Sequence, residues 1–334
     1  MRIQLTLAFF VLSSAALCQD VHVHVSPDVK TGIEGTTEFP TVQMALDHHP
    51  FAGAGGRVFI EIAPGTYRER LNITQNHANI TLLGMGKSPE DVVITNSLNA
   101  KEAGGTFFTE TVEVNGAGFE ADNLTIENSA GNTGQAVAAA VRSDRAIFKH
   151  CRFLGHQDTL FADYGRQYYV DSYIEGGVDF IFGNATAVFD RDEIHANGPG
   201  YLTAQSRTSA DQTTGYVIVN SKVTSGPEVN AGADGKRPGI YLGRPWRPYA
   251  RVVFMNTELP VEVQAEGWNN WGKRENEKTA WYGEFGNTGP GASTGARMPW
   301  AHRLTDTEAR QFRPEEFLAG TDQWNPVVEA GKLP

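Results

Sequence analysis

Short apolar runs separated by turn residues dominate residues 58–259 of the chain. These runs are rich in β-branched and aromatic side chains and are punctuated by Gly, Asn and Asp, a pattern that predicts short β-strands. One helix is predicted over residues 39–48, because apolar positions lie there between Pro40 and Pro50. The tail after Gly267 is rich in Trp, Gly and Pro. It predicts loops and short helices packed on the outside of an all-β body.

A weak internal repeat runs through the strand-rich region, and each instance is a four-residue segment that closes on an apolar residue. The six instances close at Ile126, Phe153, Ile174, Ile194, Val223 and Leu259. Successive closing residues are 20 to 36 positions apart. Such spacing is typical of a parallel β-helix, in which each coil stacks on the next because it cannot bury its apolar face alone. A β-sandwich or propeller with accidental similarity is the alternative.

The N-terminus predicts a signal peptide over residues 1–18. After a basic start, a largely apolar stretch over residues 5–17 ends before Cys18. This stretch is shorter than the roughly 20 apolar residues that span a membrane, and no later segment approaches that length. A lipoprotein anchor at Cys18 is the alternative, but the bulky Leu17 precedes it. We therefore expect a secreted chain with one elongated domain over residues 19–334.

The cysteine content limits the disulfides that we expect, and the net charge limits the classes of binding partner. Cleavage after residue 18 leaves Cys151 alone, so no intramolecular disulfide is expected, and its strand-like setting favours packing over nucleophilic chemistry. The chain has 28 basic and 39 acidic residues and a formal net charge of −11. Nucleic acid and anionic membranes are poor partners for such a surface. An anionic sugar chain would need a locally neutral or basic groove, or one that prefers esterified carboxylates.

Two aspartates occupy equivalent positions in consecutive repeats. Asp158 lies five residues after Phe153, and Asp179 lies five residues after Ile174. Because neighbouring strands are about 4.8 Å apart, the spacing predicts two adjacent carboxylates on one face. Their repulsion raises the pKa of one and leaves the other ionised, which places a proton donor beside a nucleophile or base. A solvated surface cluster is the alternative, but both aspartates precede apolar runs, which exposed acidic patches rarely do.

Two glutamines and an arginine are predicted to join this pair. Gln157 precedes Asp158, and Gln135 lies on the preceding coil. The side-chain amide of glutamine is a neutral donor suited to an oxyanion formed at a carbonyl group. Arg244 has a fixed guanidinium fork that can hold one carboxylate ionised and oriented. The ordinary alternatives are a hydrogen-bonded strand residue for Gln135 and a surface salt bridge for Arg244.

Five segments of the chain carry a recognisable combination of motifs. They are Gly65-Thr-Tyr-Arg-Glu69, Gln135 to Ala139, Gly155-His-Gln-Asp-Thr-Leu160, Asp179-Phe-Ile-Phe-Gly183 and Leu242-Gly-Arg-Pro-Trp246. In this order they resemble the five signature segments of the pectin methylesterases, and the resemblance continues through residues 267–271 and 287–292. It therefore covers nearly the whole mature chain. One departure is Ala139, where the family usually has a larger apolar residue.

The resemblance implies a right-handed parallel β-helix without a metal or organic cofactor. It implies that Asp179 attacks the methyl-ester carbonyl, and that Asp158 protonates the departing methanol and then activates water. Gln135 and Gln157 are implied to stabilise the tetrahedral oxyanion, and Arg244 to pair with Asp179. The implied substrate is methylated polygalacturonate, and we expect a secreted monomer that releases methanol and free carboxylate.

The same resemblance implies a sugar-binding groove. Trp246, Phe161 and Phe182 are expected to line it, with Thr111 and Trp271 as further contributors. Aromatic faces suit sugar rings, whose C–H edges are apolar. Ordinary core packing is the alternative for each aromatic residue.

Two other classes of protein stay open on the sequence. A β-helical polysaccharide hydrolase or lyase is the first, because two carboxylates about 5 Å apart also suit a retaining glycosidase; the paired glutamines favour acyl chemistry. A non-catalytic carbohydrate-binding β-helix is the second, and it would be expected to have lost at least one of the five catalytic residues. All five are present. N-glycosylation sequons occur at Asn72, Asn79, Asn123 and Asn184, where strand-like threonines make chance matches common.

Overall fold

The computed structural model describes residues 19–30, 36–53, 55–229 and 239–333. The signal peptide predicted over residues 1–18 lies outside these ranges and stays a prediction. Within the described residues, no helix is long and apolar enough to cross a membrane.

Short strands make up most of the described chain. The first twelve are β1 (Val21–Val25), β2 (Glu38–Phe39), β3 (Val58–Ile62), β4 (Gly65–Arg68), β5 (Leu71–Ile73), β6 (Ile80–Gly84), β7 (Val92–Asn96), β8 (Val112–Val114), β9 (Glu120–Asp122), β10 (Thr125–Asn128), β11 (Ala139–Arg142) and β12 (Ala146–Lys149). The next twelve are β13 (Arg152–Leu154), β14 (Leu160–Tyr164), β15 (Arg166–Val170), β16 (Tyr173–Gly183), β17 (Thr186–Asp190), β18 (Glu193–Gln205), β19 (Gly215–Val219), β20 (Lys222–Ser225), β21 (Ile240–Gly243), β22 (Arg251–Met255), β23 (Trp281–Phe285) and β24 (His302–Arg303). The α-helices are α1 (Val42–His48), α2 (Ala100–Ala103), α3 (Asp306–Arg310), α4 (Pro314–Phe317) and α5 (Pro326–Ala330).

The strands stack into three parallel sheets around a common axis. Sheet A contains β1, β3, β6, β9, β12, β15, β17, β19, β22 and β23, with β2 and β24 at its ends. Sheet B stacks β4, β7, β10 and β13, and sheet C stacks β5, β8, β11 and β14. The long strands β16 and β18 contribute to both B and C, which β20 and β21 then extend. The architecture is a parallel β-helix, as the repeat predicts.

The sequence repeat corresponds to the register of sheet B. Ile126 pairs with Phe153, Phe153 with Ile174, Ile174 with Ile194, and Ile194 with Val223. All five side chains are buried inside the coil. The four-residue segment therefore occurs once in each turn of the β-helix, as the spacing of the repeat predicts.

The first residue of each repeat forms the corner between sheets A and B. These residues are Asn123, His150, Asp171, Arg191, Asn220 and Asn256, with φ between 48° and 58°. This left-handed conformation is costly for most side chains, and Asn, Asp and His tolerate it best. The repeat therefore encodes a sharp corner as well as a buried strand.

The residue after each corner takes part in a ladder of hydrogen bonds that we call the corner ladder. The N–H of Cys151 donates to Ser172 Oγ at 3.0 Å, and the N–H of Ser172 donates to Asp192 Oδ1 at 2.8 Å. The N–H of Asp192 donates in turn to Ser221 Oγ at 3.0 Å. Cys151 is buried, and burial raises the pKa of its thiol, which agrees with the packing role expected for it.

Aromatic rings fill the interior beneath sheet A. Phe148, Tyr169 and Phe189 stack nearly parallel, with centroid separations of 5.0 Å and 4.7 Å. These separations match the spacing of about 4.8 Å between strands, so each coil contributes one ring to a continuous stack. The stack gives the β-helix a rigid core behind its surface sites.

Helix α1 begins at Val42, three residues later than the sequence pattern predicts. Phe39 belongs to β2 instead. Thr41 caps the helix, because its hydroxyl accepts a hydrogen bond from the N–H of Met44 at 3.2 Å. The helix ends at His48, as predicted.

The tail packs against the outer face of sheet A, as expected. Leu318 and Trp324 join an apolar cluster with side chains of that sheet. Arg166 fixes the tail, since its guanidinium donates to Asp322 Oδ1 at 2.5 Å and to the carbonyl of Ala319 at 3.1 Å. The tail also supplies β23 and β24, which the loop-rich sequence does not predict.

Candidate active site

Asp158 and Asp179 lie on consecutive coils of sheet C, at the same register position. Gln157 pairs with Val178 across the two coils, and the N–H of Asp158 donates to the carbonyl of Val178 at 3.1 Å. Beyond this point β14 and β16 pair directly. The stacking of the two aspartates is therefore as the repeat predicts.

Both aspartates have a left-handed backbone conformation, with φ of 63° at Asp158 and 51° at Asp179. Asp is among the residues that adopt this region most readily, and such conformations cluster at functional sites. Asp179 lies inside β16, and the pairing of β16 with β18 shifts register between Val178 and Ile181. The bend therefore interrupts a long strand at the carboxylate pair.

Arg244 binds Asp179 through both arms of its guanidinium. Its Nε donates to Oδ1 at 2.8 Å, and its Nη2 donates to Oδ2 at 2.6 Å. The guanidinium lies between the rings of Tyr201 and Trp271, 3.8 Å from each ring centroid. Such a planar sandwich restricts the arginine to one orientation. Asp179 is therefore oriented by two hydrogen bonds from a fixed partner.

The two carboxyl groups have different pKa values for identifiable reasons. Burial, and then the negative charge of Asp179, raise the pKa of Asp158 to about 8, with Arg244 opposing the shift. Burial also raises the pKa of Asp179, but the hydrogen bonds and charge of Arg244 counteract that rise. Because Arg244 opposes the rise at Asp179 more directly, the pair favours the proton on Asp158 and the negative charge on Asp179.

The two glutamines lie next to the carboxylates on neighbouring coils. Gln135 pairs with Gln157 in a parallel bridge, and the N–H of Ala136 donates to the carbonyl of Gln157 at 3.1 Å. Within the described part of the chain, neither side-chain amide has a hydrogen-bond partner. Both side chains are partly exposed. Two neutral N–H₂ groups are thus available to a ligand beside Asp158.

An aromatic row lies next to these polar groups on sheet C. The ring of Phe161 stacks on Phe182 at 4.7 Å, and Phe182 contacts Trp246 at 6.0 Å. Phe107 packs against the other side of Phe161 at 4.8 Å and is 43% exposed. Phe161 and Phe182 are largely buried, so they also pack the wall on which the exposed rings rest.

Comparisons with known proteins identify one family. The sequence profile described as Pectinesterase matches residues 28–321. Pectinesterase 31 of Arabidopsis thaliana is 40% identical over 301 residues, a match that covers 87% of this chain and 92% of that protein. The chain belongs to the pectinesterase family. It is therefore a carboxylic ester hydrolase, and the resemblance of the signature segments is confirmed.

Solved structures of the family have the same fold. The pectin methylesterase from carrot is 36% identical with a TM-score of 0.83, and the match covers 93% of this chain and 96% of that one. The predicted single-domain, right-handed parallel β-helix is thereby confirmed. Some relatives are longer: Pectinesterase 1 of Citrus sinensis is 38% identical over 306 residues, which are 89% of this chain and 52% of that protein. The chain spans about half the length of such relatives.

The first pectinesterase signature segment has a structural role in this chain. Its last residue, Glu69, accepts hydrogen bonds from the N–H groups of Val42 and Gln43, both at 3.0 Å. These groups open helix α1, where a carboxylate is electrostatically favourable. Ala139, at which this chain departs from the usual pectinesterase pattern, is buried in the interior and pairs with Leu160. It lies beneath the site and contributes no surface.

Two residues expected in the pectinesterase groove are fully or partly buried. Thr111 is fully buried, and its hydroxyl donates to the carbonyl of Glu127 at 2.7 Å. Its side chain has no exposed surface in this structure, and its place in the groove stays a prediction. Trp271 is partly buried and lies on Arg244, which makes orientation of that arginine its observed contact.

Sequence reasoning missed two pectinesterase site residues. Tyr201 forms one side of the arginine sandwich and pairs with Tyr241 in register. That register places Tyr201 one coil before the segment that contains Arg244. The stacking of coils could therefore have predicted that the two residues are neighbours. Phe107 lies in a connection between strands, where only its aromatic character distinguished it.

The structure also bears on metal binding and on glycosylation. Among the residues that the structure describes, no three His, Cys, Asp or Glu side chains are grouped as a metal ion requires. Of the sequons, Asn123 uses its side-chain N–H₂ to donate to the carbonyls of Gly84 and Gly86 at 2.9 Å and 3.0 Å. A glycan would replace one hydrogen of that nitrogen and so remove at least one of these bonds. Asn72 is exposed on β5.

Proposed function

We propose that the protein hydrolyses the methyl esters of pectin through a covalent acyl-enzyme on Asp179. The observation that carries this proposal is the pairing of Asp179 with Arg244 beside a protonated Asp158. One carboxylate is ionised for attack, and its neighbour holds a proton for the leaving group. Membership of the pectinesterase family supports the substrate class.

In the first half of the proposed reaction, a carboxylate oxygen of Asp179 attacks the carbonyl carbon of the methyl ester. The side-chain amides of Gln135 and Gln157 donate to the oxyanion that forms. The tetrahedral intermediate then collapses, and the bond between the carbonyl carbon and the methoxy oxygen breaks. Asp158 gives its proton to that oxygen, so methanol leaves and an anhydride joins the substrate to Asp179.

In the second half, Asp158 is a carboxylate and acts as a base. It removes a proton from a water molecule, whose oxygen attacks the acyl carbon of the anhydride. The same two amides stabilise the second oxyanion. Collapse breaks the bond to Asp179 and releases the uronic acid, which then loses its proton to solvent, and it restores ionised Asp179 and protonated Asp158. Arg244 orients Asp179 throughout and opposes its protonation in the buried site.

The aromatic row supports binding of a sugar chain along sheet C. Phe107 and Trp246 present accessible ring surface on either side of the largely buried Phe161 and Phe182. Sugar C–H edges pack well on such rings. We further propose that Trp271 acts on the substrate through Arg244, and that the mature protein is a secreted monomer whose catalytic domain spans residues 19–334.

Methanol release from highly methylated pectin tests the function. The intact protein is expected to release methanol in the presence of a chelator, and Asp179→Asn is expected to lower the rate by at least about 1,000-fold, because the nucleophile is lost. The matched control is Asp171→Asn. Asp171 is also a left-handed aspartate held by both arms of an arginine, Arg191, but it lies at the corner between sheets A and B.

The products separate this proposal from its rivals. Methanol with no new reducing ends supports the esterase. New reducing ends would indicate a hydrolase, and an unsaturated sugar would indicate a lyase. Loss of methanol release in the Asp171 variant as well as the Asp179 variant would mean that the effect is structural and would count against the assigned nucleophile.

A further inference from the structure

An open pocket lies at the corner where sheet C returns to sheet A. Arg207, which follows β18, and Arg251, the first residue of β22, form one side of it. Lys278, at the end of a 3₁₀ helix over residues 274–278, forms another. The chain has a net charge of −11, so a pocket bordered by three cations is unusual on its surface.

The three cations have no carboxylate partner among the described residues. Arg207 donates through Nε to the carbonyl of Ser209 at 2.9 Å, and Arg251 donates through Nη2 to the carbonyl of Thr213. The Nε of Arg251 is buried without any hydrogen-bond partner. This nitrogen lies against Gly215 of β19, so a ligand in the pocket would meet the guanidinium of Arg251 through its other nitrogens.

One acidic residue lines the pocket together with the three cations. Glu308 keeps its negative charge there, and its carboxylate accepts hydrogen bonds from the N–H and the hydroxyl of Thr305, at 2.7 Å and 2.8 Å, so the lining keeps an excess of two positive charges (three cations less one anion). Asp211 acts on Arg207 at longer range. The pKa of Arg251 is lowered to about 10, first by burial and then by the charge of Arg207. An anion would relieve both effects.

The pocket is built on the same corner as the aromatic row. Gln205 accepts hydrogen bonds through Oε1 from the N–H groups of Arg207 and Arg251, at 3.0 Å and 2.9 Å. Its own carbonyl accepts from the N–H of Trp246 at 3.1 Å. Tyr249, which also lines the pocket, is three residues from Trp246, a span of at most about 10 Å. A chain lying on Trp246 can therefore reach the cations.

We propose that Arg207, Arg251 and Lys278 bind free carboxylates of a polyuronate chain that extends past Trp246. The proposal rests on the proposed esterase function, since de-esterified uronate is the product. A methyl ester is neutral and gains little from three cations, whereas a carboxylate forms charge-assisted hydrogen bonds with arginine. The site would therefore select the de-esterified part of the chain and hold it beside the catalytic residues.

Binding of defined oligomers tests the site. The probes are a fully de-esterified and a fully methylated oligogalacturonate, titrated calorimetrically into the Asp179→Asn protein, which is expected not to hydrolyse the methyl esters, with Arg207 and Lys278 either intact or both replaced in Arg207→Gln/Lys278→Gln. We expect the Kd of the de-esterified oligomer to rise about five- to tenfold in the variant, because charge-assisted contacts are lost at a partly exposed site. The Kd of the methylated oligomer should change less than about twofold.

A control variant removes the same charges elsewhere. Arg68→Gln/Lys222→Gln replaces one arginine and one lysine, both exposed, on β4 and β20 of sheet B. It is expected to bind both oligomers as the intact protein does. Because Arg207 also holds its own loop, Lys278→Gln alone is the second test, and it should weaken the de-esterified oligomer about two- to threefold.

Three results would overturn the proposal. One is unchanged affinity for the de-esterified oligomer in both variants, and another is equal weakening of the two oligomers. The third is sulfate binding that the double variant loses while it retains the oligomer, which would make this an inorganic oxyanion site only. Methanol release by the intact protein, measured on the same preparation, reports separately on the esterase function, so its failure is distinguishable from failure of the carboxylate site.

Discussion

Replacement of Asp158 by Asn is expected to stabilise the protein while abolishing its activity. The pKa of this carboxyl is raised to about 8 in the folded protein, by burial and by the charge of Asp179. In the unfolded chain an aspartate has a pKa of about 3.9. Between these values the folded state holds a proton that the unfolded state releases, so the folded state loses stability as pH rises. Asn has a similar shape and no charge, so the variant does not lose this stability as the pH rises.

The magnitude follows from the size of the shift. A rise from the ordinary 3.8 to about 8 is roughly four pKa units, which sets an upper limit of about 5 kcal/mol above pH 8. Partial solvent access to Asp158 and rearrangement around it reduce that limit. We expect the variant to gain about 2 to 3 kcal/mol in free energy of unfolding at pH 8.5, and less than about 0.5 kcal/mol at pH 4.

Urea unfolding between pH 4 and pH 8.5 measures this gain in the intact protein, in Asp158→Asn and in the control Asp171→Asn. The control loses an arginine pair at an exposed corner and should show no pH-dependent gain. Methanol release by the intact protein should also decline above pH 8, as Asp158 loses the proton it supplies to the leaving group. A gain of equal size at both ends of the pH range would refute the reasoning, because it would not come from ionisation.

Two further predictions concern arginines. Arg244→Lys should lower the rate of methanol release about 10- to 100-fold. Lysine keeps the positive charge, but it loses the paired hydrogen bonds to Asp179 and the stacking between the rings of Tyr201 and Trp271. An unchanged rate would show that the charge alone suffices. Arg166→Gln should lower the Tm by about 2 to 4 °C and expose the tail to proteolysis at unchanged activity, because this side chain holds Asp322. Protease resistance equal to that of the intact protein would contradict the second.

The repeat makes the aspartate pair predictable from the amino-acid sequence. Side chains at equal distances after Phe153 and Ile174 must stack when those two residues pair, as they do. Coil stacking therefore converts sequence spacing directly into spatial proximity for Asp158 and Asp179. The signature segments add Arg244, which no spacing argument places, since a long connection precedes it.

The residues that sequence reasoning does not place lie where the coil period stops. Phe107 belongs to a connection between β7 and β8, whose path is set by its own helical turns and not by strand register. Thr111 precedes β8 directly, and nothing in the sequence tells whether such a residue faces the groove or the interior. The start of α1 is set by a cap at Thr41 and by Glu69, a residue 26 and 27 positions away from the amides it binds.

The corner ladder limits how coils can be added to the β-helix or deleted from it. In three consecutive coils the backbone amide after the corner donates to a side chain of the following coil, and the same contact recurs near the end of the β-helix, where the N–H of Thr257 donates to Asn287 Oδ1 at 3.1 Å. A deletion that removes part of a coil orphans an amide, whereas removal of a whole coil passes it to the next polar side chain. The number of corners in this architecture therefore changes by complete turns, while the connections between strands differ in length from coil to coil.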